Sequence, residues 1–445
     1  MSTNRQASPT SRWRAPVLFA ILALLFILEG TQRNAMFSGS WNTSLAILNM
    51  GLISAIIALG VNMQWGYAGL FNAGVVGFLA IGALAPILIS LPPVEGAWAA
   101  GGVRLLAALL AGLGTLALAT LAWRRLHRGR GLVVIAILIV GFVVYRGLFD
   151  PAVTAIEANN PARHGNIGGL GLPVMLSWVV GGIFAAAVAW AVGKVALGLR
   201  SDYLAIATLG IGEIIVAVLR NEEWLARGVK NITGIPRPVP YEVQLQRNPE
   251  FVEFAQSWGF TAATGSGIWV KLGYMSLFLV VLLLLILLAQ LALQSPWGRM
   301  MRAIRDNETA AAAMGKNVTA RHLQVFIIGS AVIGIGGAMM VTLDGLLAPS
   351  SYNPLRYTFL IWVMVIVGGS GNNWGAVLGA VLIWFLWIKA EVWGPTLIAL
   401  LTLPLPDGGL KSHLLSGAPH MRFIAMGAVL LLVLRFAPRG LVPER

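Results

Sequence analysis

Residues 295–324 read SPWGRMMRAIRDNETAAAAMGKNVTARHLQ. This basic, Ala-rich stretch lies between two long apolar runs, 272–293 and 323–343. Each run is long enough to cross the hydrocarbon of a bilayer, which takes about 20 residues. The stretch between them therefore reads as a loop at a membrane surface, and the question is why that loop is patterned as a polar helix.

The composition supports a membrane setting for the rest of the chain. Of 445 residues, 58% are hydrophobic and 11% charged, whereas soluble domains carry roughly 25% charge. The apolar excess comes in non-alternating blocks, which selects helices over strands, because lipid forces the backbone to satisfy its own hydrogen bonds. The chain offers twelve candidate spans, at about 15–30, 43–63, 67–91, 105–123, 131–149, 173–193, 203–219, 272–293, 323–343, 357–368, 374–390 and 421–437. Residues 357–388 carry no charge, and GGSGNNWG (368–375) splits them. A Pro-bounded apolar piece at 395–406 reads as re-entrant or interfacial. The expected fold is an all-α polytopic integral membrane protein with about 10–12 transmembrane helices and Gly-rich broken segments.

Charge sets the orientation. With the N-terminus inside, segments 1–15, 124–130, 194–202, 294–322 and 435–445 face the cytoplasm and hold 17 of the 31 Lys and Arg residues. The remaining 14 are spread over about 150 residues outside. This asymmetry follows the positive-inside rule. It accounts for the net charge of +14 without nucleic acid. Both termini are expected in the cytoplasm. The first apolar run follows RWR without a convincing small-residue cleavage site, so it reads as a retained first helix. Two outer segments are long, 150–172 and 220–271, and the second has room for a short helix or a docking partner.

Enzymatic motifs do not emerge. MGKN (314–317) lacks the upstream glycine and the Ser/Thr of a phosphate loop. His127, His164, His322, His413 and His420 show no metal-ligand spacing. There is no cysteine. The chain reads as a non-enzyme, with no cofactor and no metal.

Fifty-two glycines, about 12%, gather within spans. Pairs four apart, such as Gly375/Gly379 and Gly334/Ala338, suit close helix packing. The Gly/Asn-rich breaks FNAG (71–74) and GNNWG (371–375) also suit unwinding beside a solute path. Asn72, Gly74, Asn372 and Asn373 are path candidates for that reason. Glu213 joins them, because it lies eleven residues past Asp202, roughly 16 Å along a helix and near mid-membrane. A carboxylate there must be paired, protonated or wet, which leaves a path residue, a proton relay or a structural carboxyl open. In the opening stretch a helix from Gly298 to Met314, stopped by Gly315, lines up Arg299, Arg302 and Arg305. Four consecutive alanines give no lipid-inserting face, so docking of a partner is favoured over an interfacial helix.

ETAAAAMG after GRMMRAIRDN resembles the cytoplasmic coupling loop of the branched-chain amino acid ABC importer permease family, in particular its LivM-like subunit. RSDYLAIATLGIGEII (200–215), NITGIPRP (231–238), GYAGLFNAGVVGFLAIGA (66–83), VGGSGNNWGAVLGAVL (367–382) and LRFAPRGLVPE (434–444) are similar to further motifs of that family. The resemblance covers about 43–90 and 165–445. It departs where Phe71, Asn72 and Ala73 replace the family's Leu-Gly-His, and where 92–160 add two spans. The implied organisation is 1–42 tail and first helix, 43–91 an early Gly-rich pair, 92–160 an inserted region, and 161–445 the permease core with periplasmic loop 220–271 and coupling loop 294–322. The resemblance implies a bacterial inner-membrane permease for hydrophobic (branched-chain) amino acids or related small polar solutes. Its implied partners are a second permease subunit, two cytoplasmic ATPase subunits and a periplasmic solute-binding protein. It implies that Glu308, Ala311, Ala312 and Gly315 form the ATPase-docking core, beside Arg302 and Arg305. The competing expectation is a proton-coupled secondary transporter acting through Glu213.

Overall fold

A computed structural model describes residues 10–34, 36–127, 129–159, 165–199, 201–404, 406 and 408–444. His164 lies outside the described residues. In chain order the helices are α1 (Thr10–Thr31), α2 (Trp41–Asn62), α3 (Val75–Ser90), α4 (Val103–Arg125), α5 (Arg130–Ala158), α6 (Val174–Ala196), α7 (Ser201–Asn221) and the short α8 (Glu223–Ala226). Next come α9 (Glu242–Arg247), α10 (Pro249–Ser257), α11 (Ala262–Gln294), α12 (Pro296–Asp306), α13 (Glu308–Ala313) and α14 (Val318–Asp344). The last are α15 (Leu360–Gly368), α16 (Asn373–Leu401), α17 (Gly409–Gly417) and α18 (Met421–Phe436). Two-residue strands β1 (Ile232–Thr233) and β2 (Leu346–Leu347) pair antiparallel.

Among the described residues nine helical stretches are long and apolar enough to cross a membrane, and α17 with α18, bent by 67°, would make a tenth. The apolar helices Val75–Ser90 and Leu355–Gly368 are shorter. The chain is therefore an all-α multi-pass membrane protein. The core is built on α2 and α14, whose apolar windows are 83% and 78% buried. α14 packs on α6, α3 and α2, while α16 packs on α2 and α15. Glycine makes these crossings possible. A Cβ on Gly82 would stand 2.1 Å from the Gly334 carbonyl oxygen, and one on Gly60 would stand 2.6 Å from that of Gly329.

Four sequence expectations are corrected. Residues 67–91 are not one span. α2 ends in a π-helical turn, Met63–Tyr67, and helix resumes only at Val75. Gly69, at φ +69°, sits in the non-helical turn between them. The coupling stretch is two helices rather than one, because Asn307 leaves the helix and caps α13 by accepting the Ala310 N–H at 2.9 Å. Asn favours such caps over helix interiors. The apolar piece at 395–406, read as a separate re-entrant or interfacial element, begins as the continuation of α16, which runs unbroken through Pro395 to Leu401. The 220–271 segment holds α8, α9, α10 and β1 and the start of α11, more than a short helix.

Candidate functional site

α12 is amphipathic, and its polar face serves the protein itself. Met301 and Ile304 are buried. Arg299 and Arg302 donate to the carbonyls of Gln294 and Leu293, both at 3.3 Å. These are among the last carbonyls of α11, which lack helical partners and attract cations. The outer surface of the loop is α13 together with the turn at its C-terminal end. Glu308, Ala312, Met314 and Gly315 are exposed, while Ala311 is buried against the bundle. Met314, at 79% exposure, is a large apolar side chain at the tip of a polar loop. Gly315 adopts φ +76° and ends α13 by donating to Ala312.

Arg305 joins this loop to two breaks in the bundle. Its Nη1 donates to the Gly66 carbonyl, in the turn that ends α2, and to Glu444 Oε2 at 2.8 Å. Glu444 belongs to a segment laid along the break between α15 and α16. There Leu441 N donates to Val367 O at 2.8 Å, and Val442 N donates to Gly368 O at 2.9 Å. Asn372 Nδ2 donates to Pro443 O at 3.2 Å. One guanidinium thus links the loop, the α2–α3 break and the α15–α16 break. Behind it, Glu308, Arg305, His322 and residues 68–71 enclose a cavity of about 170 Å³. His322 Nε2 is buried there without a hydrogen-bond partner among the described residues.

Buried amides hold each break. At the first, Gln64 Nε2 donates to Phe326 O and Ser330 Oγ, both at 3.0 Å, and Asn72 Nδ2 donates to Gln64 Oε1 at 2.9 Å. Asn72 Oδ1 accepts the Gly74 N–H, and Trp362 Nε1 donates to Asn72 O at 3.0 Å. Gly74 abuts α7, where a Cβ would lie 2.3 Å from Thr208 O. At the second break, Asn373 Oδ1 accepts from Tyr67 Oη and from Asn62 Nδ2. Asn62 Oδ1 accepts the Gly371 N–H at 2.8 Å. Asn372 caps α16 by accepting from Trp374 N at 3.0 Å. Phe71 lies 4.3 Å from the Trp362 ring, and Trp65 meets both edge-on. Asn72 and Asn373 are buried. Asn62, Gln64 and Tyr67 were not singled out from sequence. The signal was two amides within or just past an apolar span, which hydrocarbon tolerates only when hydrogen-bonded.

Glu213 is placed differently from the asparagines. α7 packs Leu204, Thr208, Gly212 and Val216 inward, mainly against α3. Its opposite face, Ile206, Gly210, Glu213 and Ala217, is exposed. Glu213 has no hydrogen-bond or ion-pair partner among the described residues, although it stands mid-helix. His127, His413 and His420 are also exposed, and the described residues contain no cluster of three or more metal-ligating side chains.

These features define a multi-pass helical bundle with two tight breaks between successive helices and a two-helix loop tied to both. The family model described as the branched-chain amino acid transport system / permease component matches residues 152–434. The chain belongs to that family of transport permeases. It is 30% identical over 277 residues to the high-affinity branched-chain amino acid transport system permease protein LivM of Escherichia coli, covering 61% of this chain and 62% of that protein. It is 31% identical over 205 residues to the LivM protein of Salmonella typhimurium, covering 45% and 47%. It is 24% identical over 408 residues to the probable LivM protein of Methanocaldococcus jannaschii, covering 90% and 93%. The chain thus spans less than two thirds of the two bacterial relatives. No solved structure matches.

Proposed function

We propose that the chain is a permease subunit of an ATP-binding cassette importer in a bacterial inner membrane, carrying hydrophobic (branched-chain) amino acids or related small polar solutes. The observation that carries this reading is the α12–α13 loop. The arginines of α12 are spent on the protein's own carbonyls and breaks. The surface left free is the outer side of α13 and its closing turn, with Glu308, Ala312, Met314, Gly315 and Lys316 exposed. A loop anchored on one side and bare on the other suits an ATPase that pushes on it. Two such ATPases, a second permease subunit and a periplasmic solute-binding protein complete the assembly, with 294–322 in the cytoplasm and 220–271 outside. No phosphate loop is needed in this chain, since ATP chemistry belongs to the partners.

Within the chain, Glu213 is the residue we assign to the solute path. An unpaired carboxylate turned to lipid at mid-depth costs several kcal/mol, so the open face of α7 is covered by water or by the second subunit. A carboxylate there is suited to the ammonium group of an amino acid. Asn72, Gly74, Asn372 and Asn373 instead hold the breaks beside that path.

The first experiment is a mild-detergent pull-down of the tagged chain, with partners identified by mass. Two ATPases and a second permease are the expected result. A homo-oligomer that moves solute in vesicles without ATP would replace this reading with proton-coupled transport through Glu213.

A further inference from the structure

α4 and α5 form a hairpin that packs on itself, with its main attachment to the bundle at one end. There Leu105, Ala152, Ile156 and Ile167 make a small cluster of their own, Phe149 meets Trp224 edge-on, and Glu157 accepts the Trp224 N–H at 3.2 Å. Along the rest of the hairpin most apolar side chains are open, apart from Ala108 and Ala119 of α4. None of the apolar window of α5 is buried. The family match covers residues 152–434, so α4 and most of α5 lie outside the matched segment.

Two features of the hairpin fit together. Its free tip is cationic. Arg124, Arg125 and Arg130 are exposed and have no ion-pair or hydrogen-bond partner among the described residues. No acidic residue lies between Glu95 and Asp150. The Arg130 guanidinium sits 4.3 Å from the Trp123 ring, an exposed indole of the kind that settles at headgroup level. Along the seam runs an apolar groove of about 610 Å³, lined by Gly112 and Leu116 on α4 and by Ile135, Leu138, Phe142 and Tyr145 on α5. Ile135 and Tyr145 lie five and fifteen residues past Arg130, about 7 and 22 Å along the helix. One leaflet of hydrocarbon is about 15 Å deep. The groove therefore starts just below the arginines and runs the depth of one leaflet.

We propose that the hairpin binds an anionic phospholipid, with its phosphate at Arg124, Arg125 and Arg130 and one acyl chain in the groove. Uncompensated arginines favour an anionic headgroup over a zwitterionic one. A protein occupant of the groove would be expected to bring acidic groups to the tip and to cover the exposed faces of both helices. The proposal stands apart from the transport role.

The test uses the full chain in detergent, titrated with phosphatidylglycerol or phosphatidylcholine of the same acyl chains and read by native mass spectrometry. The unaltered protein should retain one phosphatidylglycerol with at least tenfold preference. Arg124→Gln, Arg125→Gln and Arg130→Gln together should abolish the preference while the melting temperature holds, because all three side chains are exposed. Gly112→Leu fills the groove, since even a Cβ there meets the Tyr145 ring at 3.4 Å, and should weaken retention of both lipids. Equal retention of the two lipids by the unaltered protein would overturn the proposal, as would undiminished preference in the triple variant. The chain has no cysteine, so Leu116→Cys provides a single cross-linking site. Its capture of a protein subunit in native membranes would overturn the proposal as well.

Discussion

A single buried amide can decide whether a helix breaks where it should. Asn373 receives hydrogen bonds from both Tyr67 and Asn62, and Asn62 in turn holds the Gly371 N–H. Replacing Asn373 by Leu strands a hydroxyl and an amide in the core, at a cost of about 1–3 kcal/mol. Thermal unfolding in detergent should show a clear loss for Asn373→Leu and a smaller one for Asn373→Asp, which keeps the acceptor. Equal melting of Asn373→Leu and the unaltered protein would remove the amide from the account of the break. Glu213 makes the opposite case. It supports no packing, so Glu213→Gln should leave abundance and melting unchanged while lowering solute uptake at least tenfold. Unchanged uptake would take Glu213 out of the path. The sequence showed Glu213 as costly, but the same 3.6-residue pattern leaves open which side of α7 is covered. Asn72 and Asn373 looked like path residues because unwound Asn-Gly segments occur there. Beside the local bond of Asn72 to Gln64, their burial rests on contacts about 300 residues apart in sequence, such as Trp362 to Asn72 and Asn62 to Asn373, which no local pattern encodes.

At the scale of elements, the α12–α13 loop illustrates how far local signals reach. The helix-forming stretch, the glycine stop at 315 and the arginine spacing were legible, because propensity and capping act within a few residues. The break at Asn307 was legible in principle, since Asn followed by Glu is a helix-start signature, but a continuous polar pattern concealed it. Arg299 and Arg302 reach carbonyls only five and nine residues back. The destination of Arg305 was not legible, because Gly66 and Glu444, 239 and 139 residues away, become its neighbours only after folding. Arg305 makes the sharper test. Glu444 is half-exposed, so this ion pair contributes at most about 1 kcal/mol. Glu444→Gln should therefore affect uptake mildly. Arg305→Ala also removes the bond to Gly66 and should lower uptake severalfold more at equal abundance. If the two variants behave alike, the link to the α2–α3 break carries nothing. Bulky residues at Glu308 and Gly315 should uncouple ATP hydrolysis from uptake in the assembled importer without loss of folded chain. Normal uptake in that variant would sink the docking role of α13.

For the molecule as a whole, each of the twelve apolar segments coincides with a helix, although 67–91 holds one only from Val75 and 374–390 continues to Leu401; the hierarchy among them was not readable. Hydropathy gives α5 and α2 similar standing, yet α2 is enclosed and α5 is open: glycines such as Gly60 and Gly82 bring several helices together at the centre, whereas α5 packs chiefly on α4 alone. How α1 is held was also hidden. Glu29 and Lys389 stand 360 residues apart, near the ends of two expected spans, where each passes for an interfacial charge. In the structure they form an ion pair at 2.5 Å, with both side chains buried. Ser38 N donates to Glu29 Oε1 at 3.3 Å, and Phe37 lies 5.6 Å from the ammonium. This pair fastens α1 to α16. Removing one partner of a buried pair leaves a bare charge and costs about 3–5 kcal/mol, whereas replacing both by apolar groups is often neutral. Lys389→Met alone should thus lower the melting temperature strongly, and Glu29→Leu combined with Lys389→Met should restore most of it. A double variant no more stable than Lys389→Met would show that α1 is held by the charges themselves rather than by the apolar contacts around them.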